Sequence, residues 1–296
     1  EIEDMVSDNA RKLGVDLGAE EDIPDGNAQL RHAWPGATQD NYATVSGNDA
    51  TWMYSAVTAI VAANNILRSL PEVDNTKIGI TGVSWGGVAT STAIGVDNRF
   101  AFAIPFYGCG YLLGSDTYMG LSAMTADRSS WDPSNFIKDA NLPTFWINGD
   151  QDGNFSLEST TKSADLLGDN SLVCIIPNFG HSHEYAWNRP EGYAFADSIV
   201  KGGAALIKPG EPAVGSGTVS VTLNKAPAST ALRYTTSTYG YKADGITPLT
   251  SFASSSAYTN SGLTYTYTIP AGTKAFYIDF TDASGIVTST KLIKLD

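Results

Sequence analysis

Cysteine and histidine are the scarcest reactive residues of this 296-residue chain, with two and three copies. Two cysteines, Cys109 and Cys174, are too few for a disulfide-built domain and lack metal-ligand spacing. Both are expected as free, buried thiols, the usual habit of this small apolar side chain. Long apolar runs are missing as well: no stretch of about eighteen apolar residues occurs, which excludes a helical membrane span. Basic residues are outnumbered, 18 Lys and Arg against 31 Asp and Glu, for a net charge of −13. Such a balance repels phosphate backbones and anionic lipid, so nucleic acid is not an expected partner. The opening residues, EIEDMVSDNARK, show neither an initiator methionine nor a signal peptide.

The acidity is uneven. Residues 212–296 hold six Lys and Arg against four Asp and Glu, about +2, which leaves about −15 on the first 211. That shift, and a length above one average domain, point to two domains. Pattern supports the division. Apolar residues from Asn48 to Leu70 recur at helical spacing and stop at Pro71. Strand-like runs follow at Lys77–Thr81, Phe100–Phe106, Leu142–Ile147 and Leu172–Ile176. Helix-compatible stretches lie at Val88–Val96, Leu157–Leu167 and Glu191–Gly203. Alternating strands and helices predict a mainly parallel sheet covered on both faces, spanning residues 1–206. The Pro/Gly stretch 207–217, IKPGEPAVGSG, reads as a linker. Beyond it about a third of residues are Ser or Thr. Short alternating runs at Thr218–Leu223, Ala231–Thr236, Leu263–Ile269, Lys274–Phe280 and Ile286–Leu292 predict a small immunoglobulin-like β-sandwich over 218–296. Its Tyr239, Tyr241, Tyr258, Tyr265 and Tyr267 either fill strands or form a platform for sugars.

The chemistry centres on Gly82-Val-Ser84-Trp-Gly86, a match to G-x-S-x-G between a strand and a small-residue helix. A serine hydroxyl is a weak nucleophile at neutral pH. It needs a base, a carboxylate to orient that base, and donors for the developing oxyanion. In the chain order of such hydrolases the acid follows a later strand and precedes the histidine. Asp150 and Asp152 compete there, in WINGDQD, and the spacing from Gly149 favours Asp152. Asp150, Asp152 and Asn154 lack the remaining ligands of a calcium loop, so no metal is expected, and no cofactor is implied. Two histidines follow the last strand of the alternating region, in Gly180-His181-Ser-His183. His181 is the first choice as base, with His183 as base or pocket residue. His32 is expected to pack or cap locally.

Together GITGVSWGG, AIPFYGCG, WDPSNF, WINGDQD, HSHEYAW and YAFADSIVKGG resemble acetyl-xylan-esterase-like α/β-hydrolases over about residues 45–205. That group is related to the dienelactone hydrolase and prolyl-oligopeptidase branches. The resemblance implies a serine esterase acting on acetylated carbohydrate or another small ester, with Ser84 as nucleophile, Asp152 as acid and His181 as base. It also implies the backbone N–H of Trp85 as one oxyanion donor, and a secreted or periplasmic setting. Tyr107 and Trp187 are candidates to line the sugar side. The departure lies at the front. Such enzymes carry several strands and a His-Gly-type oxyanion loop ahead of the elbow, whereas here only 83 residues precede Ser84 and none forms His-Gly-Gly. Lys12–Leu17 is the one expected remnant of an early strand. The sequence therefore predicts an N-terminally truncated or divergent chain, with exposed apolar surface beside the Lys77 strand.

Overall fold

The computed structural model describes residues 52–124, 126–248 and 251–295. His32 and the Lys12–Leu17 stretch lie outside the described residues. The chain divides into two compact units, Glu1–Asn75 and Thr76–Asp296. The described part of the first contains helix α1 (Trp52–Ser69). The helix ends one residue before the position that Pro71 forces out of helical backbone. Arg68 Nη1 donates to the Asn75 carbonyl at 2.9 Å, and Asn75 Nδ2 to the Arg68 carbonyl at 3.2 Å. These bonds tie the helix end to the chain that follows.

In the second unit strands and helices alternate as the sequence predicts: β1 (Ile80–Val83), α2 (Trp85–Val96), β2 (Ala103–Phe106), α3 (Ser134–Ile137), β3 (Thr144–Gly149), α4 (Leu157–Leu167), β4 (Ser171–Ile176), α5 (His183–Trp187) and α6 (Pro190–Val200). The four strands pair in parallel and in chain order. All six residues of β3 are buried, with α4 and α6 packed against it. This explains why its sequence lacks the polar alternation of a half-exposed strand. Local chemistry fixes the ends of α4. The Ser156 Oγ accepts from the Ser159 N–H at 3.0 Å, and Gly168 ends the helix at φ 51°.

Among the described residues nine antiparallel strands follow: β5 (Ala213–Val214), β6 (Thr218–Thr222), β7 (Ser229–Thr235), β8 (Ala253–Ser255), β9 (Tyr258–Ser261), β10 (Thr264–Thr268), β11 (Ala275–Thr281), β12 (Val287–Ser289) and β13 (Ile293–Lys294). They form a sandwich. The smaller sheet runs β5-β6-β10-β9. Its Val219, Val221, Tyr265 and Tyr267 share one core with Leu232, Phe276, Ile278 and Phe280 of the facing sheet. That facing sheet is not separate from the parallel one. β12 pairs with β4, giving the order β1-β2-β3-β4-β12-β11-β7-β8, with β13 on β11. Ser289 ties the seam: its Oγ accepts from the Ile175 N–H at 3.0 Å.

Residues 207–217, read in the sequence as a linker, are built into the smaller sheet. Ile207 lies in the sandwich core, Pro209 bridges Leu223, and β5 pairs with β6. Proline and glycine fit there because an edge strand leaves one row of backbone groups unpaired.

At the opposite end of the large sheet, β1 has β2 as its partner among the described residues. Beside it lies an apolar cleft of about 230 Å³ whose lining includes Ile80, Phe102, Ile104, Trp187 and Tyr193.

Candidate active site

Ser84 stands at the junction of β1 and α2 with φ 58° and ψ −119°. A non-glycine residue in such backbone stores roughly 1–3 kcal/mol of strain, held by its surroundings. Here those surroundings are hydrogen bonds and close backbone packing. The Ser84 N–H donates to the Phe106 carbonyl at 3.0 Å, and its own carbonyl accepts from the Val88 N–H at 2.9 Å. A Cβ on Gly82 would lie 2.1 Å from the Gly86 carbonyl oxygen, and one on Gly108 would lie 1.9 Å from the Gly87 carbonyl carbon. Gly86 itself has open space where a side chain would stand. In this elbow the crowding is therefore relieved at Gly82 and Gly108.

The structure brings together three residues far apart in the chain. His181 Nε2 lies 2.9 Å from Ser84 Oγ, and His181 Nδ1 lies 3.0 Å from Asp152 Oδ2. An ionised carboxylate only accepts, so Nδ1–H donates to Asp152 and Nε2 is left to accept from the Ser84 hydroxyl. Asp152 is fully buried, and its Oδ1 accepts from the Asn154 and Phe155 N–H groups at 2.7 and 3.1 Å. The imidazole keeps about a fifth of its surface exposed. It is hemmed by Tyr107 and Phe155, with ring centroids 4.8 and 5.8 Å away. Such packing fixes the ring plane and thins the water around the relay, which strengthens its electrostatics.

Asp150, the competing acid, points elsewhere. Its Oδ1 accepts from the Asn178 N–H at 2.6 Å and its Oδ2 from the Tyr277 hydroxyl at 2.9 Å. Burial raises its pKa above the usual carboxylate range. It anchors the loop that carries His181. His183 opens α5, and its ring meets that of His181 edge-on at 5.7 Å. It is a neighbour of the relay and not a member.

Tyr107, a candidate in the sequence to line the sugar side, is buried. Only 1% of it is exposed, and its hydroxyl donates to the Ser182 carbonyl at 3.1 Å. It supports the histidine loop from beneath. Trp187 is half-exposed and lines the apolar cleft beside β1. The Trp85 N–H belongs to the first residue of α2, where the positive end of a helix favours a developing negative charge.

Among the described residues no group of three or more His, Cys, Asp or Glu converges as metal ligands would. Cys109 and Cys174 are free and buried. Burial raises the pKa of both thiols, so neither is a nucleophile at neutral pH.

Two contacts have no counterpart in the sequence reading. The Tyr241 hydroxyl donates to the backbone carbonyl of Asp152 at 2.7 Å, and the Tyr277 hydroxyl binds Asp150. Both tyrosines come from the antiparallel strands and their connections. No local pattern marks them, because their partners lie 89 and 127 residues away.

Residues 47–199, just over half of the chain, match the sequence profile of the prolyl oligopeptidase family. No protein of curated function matches. Several solved structures are similar. Acylaminoacyl peptidase of Pyrococcus horikoshii is 20% identical over 51% of this chain and 29% of its own, with a TM-score of 0.44. Acetyl xylan esterase from Paenibacillus sp. R4 is 17% identical over 53% of this chain and 57% of its own, with a TM-score of 0.45. A puromycin-hydrolyzing peptidase of Mycobacterium tuberculosis is 18% identical over 50% and 26%, with a TM-score of 0.44. The chain thus spans under a third of the length of the two peptidases and under two thirds of the esterase.

Proposed function

Because the chain belongs to the prolyl oligopeptidase family, we propose that it is a serine hydrolase of carboxylic esters, with acetylated carbohydrates such as acetylated xylan as its substrate class. The observation that carries this reading is the unbroken relay from Ser84 through His181 to Asp152, with both contacts at 3.0 Å or less. Ser84 Oγ attacks the ester carbonyl carbon while His181 Nε2 takes the hydroxyl proton. The tetrahedral oxyanion accepts from the Trp85 N–H. Collapse breaks the bond to the alcohol, which leaves with the proton from His181, and an acyl-serine remains. Water, deprotonated by His181, then attacks the acyl carbon; the bond to Ser84 Oγ breaks, His181 returns the proton to Oγ, and the acid leaves. Asp152 holds the imidazole in the required tautomer and balances the charge it gains.

The carbohydrate side rests on the motif resemblance over residues 45–205. Action on a polymer fits a secreted or periplasmic location, which fractionation of the producing cells checks. The family profile favours a second reading, a peptidase using the same relay, since one triad cleaves esters and amides alike. A degenerate, non-catalytic hydrolase domain would show a broken spacing between Ser84 and His181, and the 2.9 Å contact argues against it.

Acetate release from p-nitrophenyl acetate and acetylated xylan, run beside peptide p-nitroanilides, tests the reading. Ester turnover that Ser84→Ala lowers by at least about 10³-fold is expected. Turnover confined to the peptides would move the assignment to peptidase, and turnover unchanged in Ser84→Ala would end it.

A further inference from the structure

We propose that Tyr241, from the connection between β7 and β8, is a positioning residue for Asp152, so that the antiparallel portion of the chain completes the hydrolytic relay. The inference rests on the catalytic reading of Ser84, His181 and Asp152. Asp152 sits in the turn between β3 and α4, where its Oδ1 accepts from the Asn154 and Phe155 N–H groups at 2.7 and 3.1 Å while its backbone N–H reaches the Gly149 carbonyl at only 3.4 Å. Its carbonyl accepts from the buried Tyr241 hydroxyl at 2.7 Å.

Neighbouring contacts extend this grip along the turn. The Leu157 N–H donates to the Tyr239 hydroxyl at 3.1 Å. The Ile246 carbonyl lies against Gly153, only 2.0 Å from where a Cβ would stand. Tyr241 is itself fixed, with its N–H donating to Asp116 Oδ2 at 3.1 Å. Tyr239, Tyr241 and Ile246 thus grip the acid turn as a clamp.

A buried carbonyl that loses its donor pays for desolvation without return, and the peptide rotates to find another partner. Rotation of the Asp152–Gly153 peptide swings the Asp152 side chain, whose Oδ2 must stay near 3.0 Å from His181 Nδ1. Misplacement of about 1 Å in such a relay costs up to about 10²-fold in rate.

Tyr241→Phe removes the hydroxyl and keeps the ring. Two readouts are taken on the full chain: kcat and KM with p-nitrophenyl acetate, normalised to sites labelled by a fluorophosphonate, and the NMR resonance of the His181 Nδ1 proton, assigned through His181→Gln. A role in positioning lowers kcat per labelled site about tenfold, leaves KM within about twofold, and shifts or broadens the Nδ1 resonance. Wild-type kcat per labelled site together with an unmoved resonance overturns the proposal. Should Tyr241→Phe fail to fold, Asp116→Ala, which frees the Tyr241 backbone, is read by the same two measurements. Absence of ester turnover in the wild type removes the esterase reading alone, because the resonance still decides the role of Tyr241.

Discussion

Two carboxylates two residues apart have opposite fates in this turn. Asp152 accepts from His181 and from two backbone N–H groups, whereas Asp150 joins the Asn178 backbone to Tyr277. Asp152→Asn replaces an obligate acceptor with an amide that stabilises the wrong imidazole tautomer. It is expected to lower kcat by about 10³- to 10⁴-fold. Asp150→Asn keeps an acceptor for the Asn178 N–H, and the new amide can donate to the Tyr277 oxygen, since a phenol both gives and takes. Activity within about tenfold of wild type is expected. Steady-state kinetics of the two variants side by side checks this, and equal losses would mean that the relay is misassigned. The sequence already favoured Asp152 through its spacing from Gly149. Contacts on Tyr107, by contrast, had no local signal, because its burial depends on the loop that brings Ser182 over its hydroxyl.

Strand β11 shows how an element takes its character from what covers it. All but its last residue are buried. Phe276, Ile278 and Phe280 face the sandwich core, while Tyr277 and Asp279 project from the opposite face toward the acid loop and the β12 seam. Asp279 Oδ2 lies 2.7 Å from Arg233 Nε, and Ser289 Oγ donates to its Oδ1 at 3.3 Å. Burial nevertheless dominates and pushes its pKa up to about 6. An unfolded aspartate titrates near 4. Between about pH 4 and 6 the folded state therefore binds the proton more tightly than the unfolded one. This carboxyl's contribution to stability is greatest below pH 4 and falls as pH rises to 6. Asp279→Asn removes that dependence. The stability of wild type minus that of Asp279→Asn, from urea unfolding at a series of pH values, is expected to decline across this window and then level. A flat difference would mean that the carboxylate is not desolvated. Among the strands, those with alternating or continuous apolar runs were legible in the sequence. β5, β8, β9 and β13 were not, being two to four residues long and largely exposed.

The second unit holds its two kinds of architecture in one sheet, and the pairing of β4 with β12 is the join. Residues 207–296 cover the β4 edge and supply Tyr241 and Tyr277 to the acid loop. A chain ending at residue 206 would expose that edge as a template for aggregation. Such a chain is expected to be insoluble, or to lose near-UV circular dichroism while keeping far-UV signal. A soluble fragment with native near-UV bands and Ser84-dependent turnover would show the antiparallel portion to be dispensable.

By itself the sequence determined the alternation of strands and helices, the elbow at Ser84, and the order of serine, acid and histidine. Each of these is written in backbone preference and periodicity over a few residues. Tertiary structure decided which aspartate and which histidine meet, that Tyr107 turns inward, and that the C-terminal strands continue the hydrolase sheet. The reason is separation: Ser84 and His181 stand 97 residues apart, Tyr277 and Asp150 127. Contacts at that range follow from register and packing across the whole sheet, which no local stretch of sequence encodes.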